Sequence, residues 1–325
     1  RNNESKQEIL PHALTYLTVY FSGVMGLMIY NMGAGILRAI GDSKHPFYFL
    51  MFSGAVNVSL NLFFVIVCKM DVLGVAVATV TSQYISAFLI LRLLTRFDDC
   101  CKLYLNHLYI RKDKLIKIIK IGLPAGIQGC LFSVSNVLIQ SSINGFGPET
   151  MAANTAAANI DGIIYIAMNS FYHAALAFTG QNAGALRFDR IKRVCALCAS
   201  MVAVLGLIIG VVCYLCGPWL LSLFGVEGTV ETSETMRVGM LRLTILGVPY
   251  FLCGLMEVMS GMLRGLGASL VSAIVSLLGS CALRVVWIYT VFEAYQRIDV
   301  LYVSYPATWI ITTLAHFTCF LIILK

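Results

Sequence analysis

Gly35-Ile-Leu-Arg38-Ala-Ile-Gly41-Asp-Ser43 and Gly261-Met-Leu-Arg264-Gly-Leu-Gly267-Ala-Ser269 are two versions of one pattern, set 226 positions apart. Leu17-Thr18 and Leu243-Thr244 fall on the same offset. Self-similarity at a fixed offset marks a duplicated structural unit. What is duplicated follows from the surrounding residues, which are overwhelmingly apolar.

Of 325 residues, 59% are hydrophobic and 12% charged. A soluble domain carries roughly 25% charge. This chain has about half of that, too little to cover an ordinary water-facing surface. A soluble enzyme, a disordered chain, a coiled coil and a collagen are all excluded. A membrane span takes about 20 mostly apolar residues, and such stretches lie near 13–36, 46–68, 72–94, 117–143, 150–180, 194–224, 238–263, 268–292 and 299–324. These runs are long and continuous, whereas a β-barrel would show short alternating segments. The expected fold is an all-α integral membrane protein, a polytopic bundle with nine transmembrane helices.

Lys and Arg concentrate in cytoplasmic loops. Arg92, Arg96, Lys102, Arg111, Lys112, Lys114, Lys117 and Lys120 surround one loop, and Arg187, Arg190, Lys192 and Arg193 another. Glu227, Glu231 and Glu234 mark a loop on the opposite side. The expected site is the cell membrane, with the C-terminus cytoplasmic. The net charge of +7 is then a property of loops; no basic patch interleaved with aromatic residues suggests nucleic acid.

The repeat pairs the first helix with the seventh, so the unit is six helices. Counterparts of helices four to six would precede residue 1 by about 110 residues. The expectation is a twelve-helix, two-lobe protein of six-helix parallel repeats. Residues 1–96 would form the second half of an N-terminal lobe, 97–116 a cytoplasmic linker and 117–325 a C-terminal lobe. Two similar lobes suit alternating access to a central site.

Cys195-x-x-Cys198 and Cys213-x-x-Cys216 have the spacing of a zinc ribbon. They lie in one apolar helix, where Cys195 and Cys213 would stand about 27 Å apart. No metal site and no cofactor is expected. Polar residues inside spans are functional candidates. In the first part these are Asn31, Asn57, Asn61 and Thr79, with Gln83. Asn57 and Asn61, at i and i+4, share a face; their amides can coordinate a cation or lock helices together. In the second part they are Asp161, Glu257 and Arg284, with Asn136, Gln140 and Asn144 as a stripe on helix four. Asp161 and Arg284 lie at depths that allow a buried pair. Glu257 suits a protonatable carboxylate facing a cavity. His173 and His316 read as packing histidines. Pro124, Pro249 and Pro306 fall inside spans, where they kink helices. Gly122/Gly126, Gly180/Gly184 and Gly206/Gly210 permit close helix packing. No His-Glu-x-x-His and no P-loop occurs, so a membrane enzyme is disfavoured and energy would come from an ion gradient.

Four stretches carry a family resemblance: Leu37-Arg38-Ala39-Ile40-Gly41-Asp42-Ser43-Lys44 with its repeat Leu263-Arg264-Gly265-Leu266-Gly267, Gly74-Val75-Ala76-Val77-Ala78-Thr79 before Ser82-Gln83, Ile121-Gly122-Leu123-Pro124-Ala125, and Gly180-Gln181-Asn182-Ala183-Gly184-Ala185. In order and spacing the chain resembles the MATE family of multidrug and toxin extrusion transporters, over its helices four to twelve. The resemblance implies antiport of organic cations, drugs or toxins against protons or sodium, in a lipid bilayer. It places Asn31 and Thr79 among supporting ligands of an N-lobe cation site. The family's Asn-x-x-x-Asp motif reads Asn57-x-x-x-Asn61 here, without its acid. Glu257 lies close to where the family carries an acid on helix ten. A flippase for a lipid-linked sugar, from the same superfamily, is the alternative.

Overall fold

The computed structural model describes residues 2–97 and 102–324, without the side chains of residues 2–13 and 105. Residues 98–101 of the expected linker lie outside the described residues. The described chain is helical almost throughout and divides into two units, Arg1–Ile110 and Arg111–Lys325.

The first unit has three long helices: α1 (Asn2–Ala39), α2 (Lys44–Leu62) and α3 (Asp71–Arg96). A wide turn, Phe63–Val67, continues α2. Both α1 and α2 pack on α3. Tyr30, Ala34 and Leu37 of α1 close on Ile90 and Leu94 of α3, and the Tyr30 hydroxyl donates to the Pro46 carbonyl at 2.8 Å.

The second unit begins with α4 (Lys112–Asn144), α5 (Pro148–Gly184) and α6 (Phe188–Leu215), followed by the short α7 (Gly217–Leu223). Next come α8 (Glu234–Arg242), a wide turn Leu243–Gly247, and α9 (Tyr250–Gly265). A broken column follows, α10 (Ser269–Ser276), α11 (Leu283–Trp287) and α12 (Glu293–Tyr295) joined by wide turns, and then α13 (Ile298–Leu324). Its core gathers Ile160, Ile164 and Met168 of α5 with Val202 of α6, Met262 of α9 and Leu301 of α13.

Among the described residues seven helices are long and apolar enough to cross a membrane, and eight if α8 and α9 count as one bent span. The ninth expected span, 150–180, falls on α5. Its 37 residues are more than long enough, but Asn154, Asn159, Asp161, Asn169 and His173 dilute its hydropathy, so it is outside that count. The expected span 194–224 is corrected. It stops at Leu215, and Gly217-Pro218 starts α7 afresh, with Pro at the helix start, where its missing N–H costs nothing. The α8–α9 column bends by 40° just before Tyr250. Pro249 supplies the cause, since it cannot donate to the helical ladder.

The duplicated motif is a duplicated helix ending. Gly41 and Gly267 both take positive φ, +92° and +85°. Behind them the N–H of Asp42 reaches the Leu37 carbonyl and the N–H of Ala268 reaches the Leu263 carbonyl, both at 2.9 Å. These six-to-one bonds are Schellman closures. Leu37 and Leu263 are fully buried, and Arg38 and Arg264 put a cation in each last turn, where the dipole favours it. The repeat extends to the wide turns: Phe63–Val67 and Ile288–Phe292 fall at nearly the same offset.

Of the three Gly-x-x-x-Gly pairs, only Gly206/Gly210 is closely packed at both positions. A Cβ on Gly210 would stand 2.5 Å from the Gly247 carbonyl oxygen, and one on Gly206 would stand 2.8 Å from Phe251. Nothing lies within 4 Å at Gly122, Gly126 or Gly184. The wide turn and bend at 243–249 therefore seat α9 directly on the backbone of α6.

Candidate functional site

The second unit holds a cleft of about 790 Å³, walled by α4, α5, α8, α9, α11 and α13. A drug-sized ligand occupies a pocket of roughly 300–1,000 Å³. Five amide and six Phe, Tyr or Trp side chains are in the lining, and Gln140, Asp161, Glu257 and Arg284 all reach it.

The pairing inside the cleft corrects the sequence expectation. Asp161 does not pair with Arg284. Its Oδ2 accepts from Nε of Arg242 at 2.9 Å and from Nη2 at 2.8 Å. Nη1 of Arg242 donates to Oδ1 of Asn154. The Tyr302 ring lies 5.5 Å from the same guanidinium, and its hydroxyl donates to Asn154 Oδ1 at 3.4 Å. Asn154 Nδ2 donates to Gln140 Oε1 at 3.1 Å, and Gln140 Nε2 to Asn144 Oδ1 at 2.9 Å. One chain of hydrogen bonds thus links α4, α5 and α8 from Asn144 to Asp161. Arg242 falls near the head of the expected span 238–263 and is not among the charges singled out from the sequence. In fact the helix starts at Glu234, capped by the Ser233 hydroxyl accepting from the Met236 N–H. Two turns later Arg242 is buried. That capping serine was the signal available in the sequence.

Arg264 is held at its tip. Nη1 donates to the Tyr172 hydroxyl at 3.0 Å and Nη2 to Gln128 Oε1 at 2.6 Å. Arg284 has a different environment. Its Nε donates to Thr308 Oγ1 at 3.0 Å, and its guanidinium lies 4.2 Å from the centre of the Tyr305 ring. It is buried in the wall with no carboxylate partner among the described residues. Glu257 lines the cleft with no hydrogen bond or ion pair among the described residues. Behind the Arg284 wall runs a polar seam. Ser276 Oγ lies 3.3 Å from His316 Nε2, and Ser280 Oγ lies 3.2 Å from Thr312 Oγ1. Ser276, Ser280 and Arg284 step by four, which drifts off the face of a 3.6-residue helix. The wide turn Leu277–Ala282 offsets that drift and keeps them facing α13.

In the first unit, Asn61 Nδ2 donates to Asn57 Oδ1 at 3.1 Å and Asn57 Nδ2 to Ser82 Oγ at 3.3 Å. Ser82 Oγ in turn donates to the Thr79 carbonyl at 2.8 Å, while the Thr79 hydroxyl turns back to its own helix at Val75. Asn31 is exposed on α1 and joins none of these bonds. Asn61 Oδ1 and Gln83 Oε1 are buried acceptors without a partner among the described residues. Amide oxygens of this kind can ligate a hard cation, though no carboxylate bonds to this cluster among the described residues.

A bundle of membrane-spanning helices around a ligand-sized cleft that carries buried polar groups defines a multi-pass helical membrane protein of the transporter type. The chain belongs to the MatE family, whose model matches residues 3–63 and 124–290. It is 26% identical over 321 residues to a probable multidrug resistance protein of Bacillus subtilis, covering 95% of this chain and 67% of the relative. It is 28% identical over 295 residues to a second probable multidrug resistance protein of Bacillus subtilis, covering 86% of this chain and 62% of that one. The chain thus spans about two thirds of the length of these relatives. Its fold is similar to a multidrug resistance MATE family transporter of the MOP superfamily solved in an outward-facing conformation. The TM-score is 0.86 at 20% identity, over 96% of this chain and 69% of that one.

Proposed function

We propose that the protein is an ion-coupled antiporter that exports amphipathic drugs or toxins, organic cations among them, by alternating access. The observation that carries this reading is the cleft of the second unit. It is large enough for a drug, is lined in part by aromatic and amide groups, and contains a carboxylate, Glu257, with no cation bound to it among the described residues. An acid in that position can exchange a proton or meet a basic substrate group. The multidrug resistance descriptions of the relatives support the same reading. Asn57, Asn61, Thr79 and Asn31 are the proposed helpers in ion coupling, and the open oxygens of Asn61 and Gln83 are where a coupling ion would be held.

Flipping of a lipid-linked sugar fits less well. A pyrophosphate needs several cations with free donors, whereas Arg242 is paired with Asp161 and the terminal donors of Arg264 are engaged by Tyr172 and Gln128. The test is efflux of a fluorescent organic cation from cells expressing the full-length gene. One arm collapses the proton gradient and another removes sodium. Efflux lost in one arm alone supports the antiporter and names its ion. Efflux that survives both together refutes ion coupling.

A further inference from the structure

We infer that the cleft of the second unit takes an aromatic ligand by a single acidic group, held on the guanidinium of Arg284. The inference rests on the proposed role of this cleft as the substrate site and specifies the chemistry it recognises. Three arginines reach the cleft, Arg242, Arg264 and Arg284, against two carboxylates, Asp161 and Glu257. Arg242 is neutralised by Asp161, and Arg264 spends both of its terminal nitrogens on Tyr172 and Gln128. Arg284 is only 4% exposed. Its Nε is fixed by Thr308 and its face by Tyr305, so the guanidinium plane is set. Nη1 and Nη2 find no acceptor among the described residues, and the residue opens onto the cleft.

An uncompensated guanidinium out of water is costly until an anion meets it. The planar fork of Arg matches a carboxylate in bidentate fashion. Among the described cleft arginines, Arg284 alone has both terminal nitrogens without an acceptor, and one such fork selects one acid group rather than a pyrophosphate. The same corner supplies the aromatic wall. Tyr250 and Trp309 have ring centroids 5.2 Å apart, Tyr305 and Trp309 6.0 Å apart, and all three line the cleft with Arg284. A ligand with its acid on Arg284 therefore has ring surfaces beside it to stack on. A basic group elsewhere on the same ligand would find Glu257. The phosphate of an anionic lipid shares the acid chemistry but not the aromatic part.

The experiment is binding of a fluorescent naphthoate and of the matching uncharged naphthamide to the purified protein in phosphatidylcholine nanodiscs. The naphthoate is expected to bind at least tenfold tighter. Arg284→Gln should abolish that preference, and Arg284→Lys, which keeps the charge but loses the fork, should retain part of it. Equal binding of the two probes to the unsubstituted protein overturns the inference, with no variant needed. So does a preference that survives in R284Q. A second arm adds phosphatidylglycerol to the discs. Unchanged naphthoate affinity supports the aromatic acid. A loss of affinity that depends on Arg284 assigns the anion to a lipid headgroup instead and overturns it. If the probes show no preference while ion-coupled efflux persists, the antiporter stands and only this inference fails.

Discussion

Breaking the Arg242–Asp161 pair tests the central assignment of the site. Arg242→Met removes both hydrogen bonds to Asp161 Oδ2, the bond to Asn154 and the contact with the Tyr302 ring. It leaves a buried carboxylate whose Oδ1 already lacks a partner. Removing one member of a buried ion pair costs about 3–5 kcal/mol. Asp161→Asn strands the arginine in the same way. The double variant leaves no stranded charge and should cost less than the sum of the singles, by about 0.5–3 kcal/mol. For a unit of this size, about 1 kcal/mol moves Tm by roughly 2–4 °C, so each single variant should lose on the order of 10 °C. The assay is thermal unfolding in detergent, followed by a thiol-reactive dye after the exposed Cys68, Cys130 and Cys216 have been blocked. Cys195, Cys198, Cys213, Cys253 and Cys281 are buried in the second unit and become reactive as it opens. Additive single effects would refute the pair. Asp161→Asn combined with Arg284→Gln is the control and should be additive. Coupling in that cycle would move the salt bridge to Arg284 and refute the geometry.

Glu257→Gln should reduce ion-driven efflux to near background while surface expression is unchanged; efflux at the normal rate would remove Glu257 from coupling. Gly210→Ala should destabilise by about 1–3 kcal/mol, because its Cβ would meet the Gly247 and Val248 carbonyl oxygens at 2.5 and 2.9 Å. Gly126→Ala, with nothing within 4 Å, should be neutral or stabilising by up to about 1 kcal/mol; the same melting assay separates the two. Asp42 makes a pH prediction in the loop between α1 and α2. Burial works against its charge but is outweighed by the His45 side chain and by the backbone N–H groups of His45 and Lys44, so its pKa lies below the ordinary 3.8. A depressed carboxylate contributes stability above its unfolded pKa, and loses it as pH falls through the folded value. Unfolding measured from pH 6 downward should show that loss, and Asp42→Asn, still able to cap, should flatten it.

Much of the fold was legible because it depends on neighbours in sequence. The apolar runs locate helices near 46–68, 72–94 and 299–324, and the structure has α2 with its wide turn, α3 and α13 there. The repeat was visible because a Schellman ending needs the same residues each time, an inward Leu, a terminal Arg and a left-handed Gly. The misreading of a span arose where a break falls inside an apolar run. At 216–218 a Gly-Pro break sits inside a run whose hydropathy never falls.

The site was legible as a list of residues but not as a set of contacts. Buried charge in an apolar run is conspicuous, and Asp161, Glu257 and Arg284 stood out for that reason alone. Which of them touch was not readable. Asp161 and its true partner are 81 positions apart, and Asn154 and Arg242 are 88 apart. The choice of Arg242 over Arg284 depends on where α8 starts, how the column bends before Tyr250 and how closely α9 sits on α6. Sequence by itself determined the membrane class, the helical period, the duplicated helix ending and the inventory of buried polar groups, because each is set by local hydropathy and backbone chemistry. Only the tertiary structure decided which charges are satisfied and which are left open to the cleft. A buried charge is stabilised by whatever lies within hydrogen-bond reach, and reach across helices is set by packing.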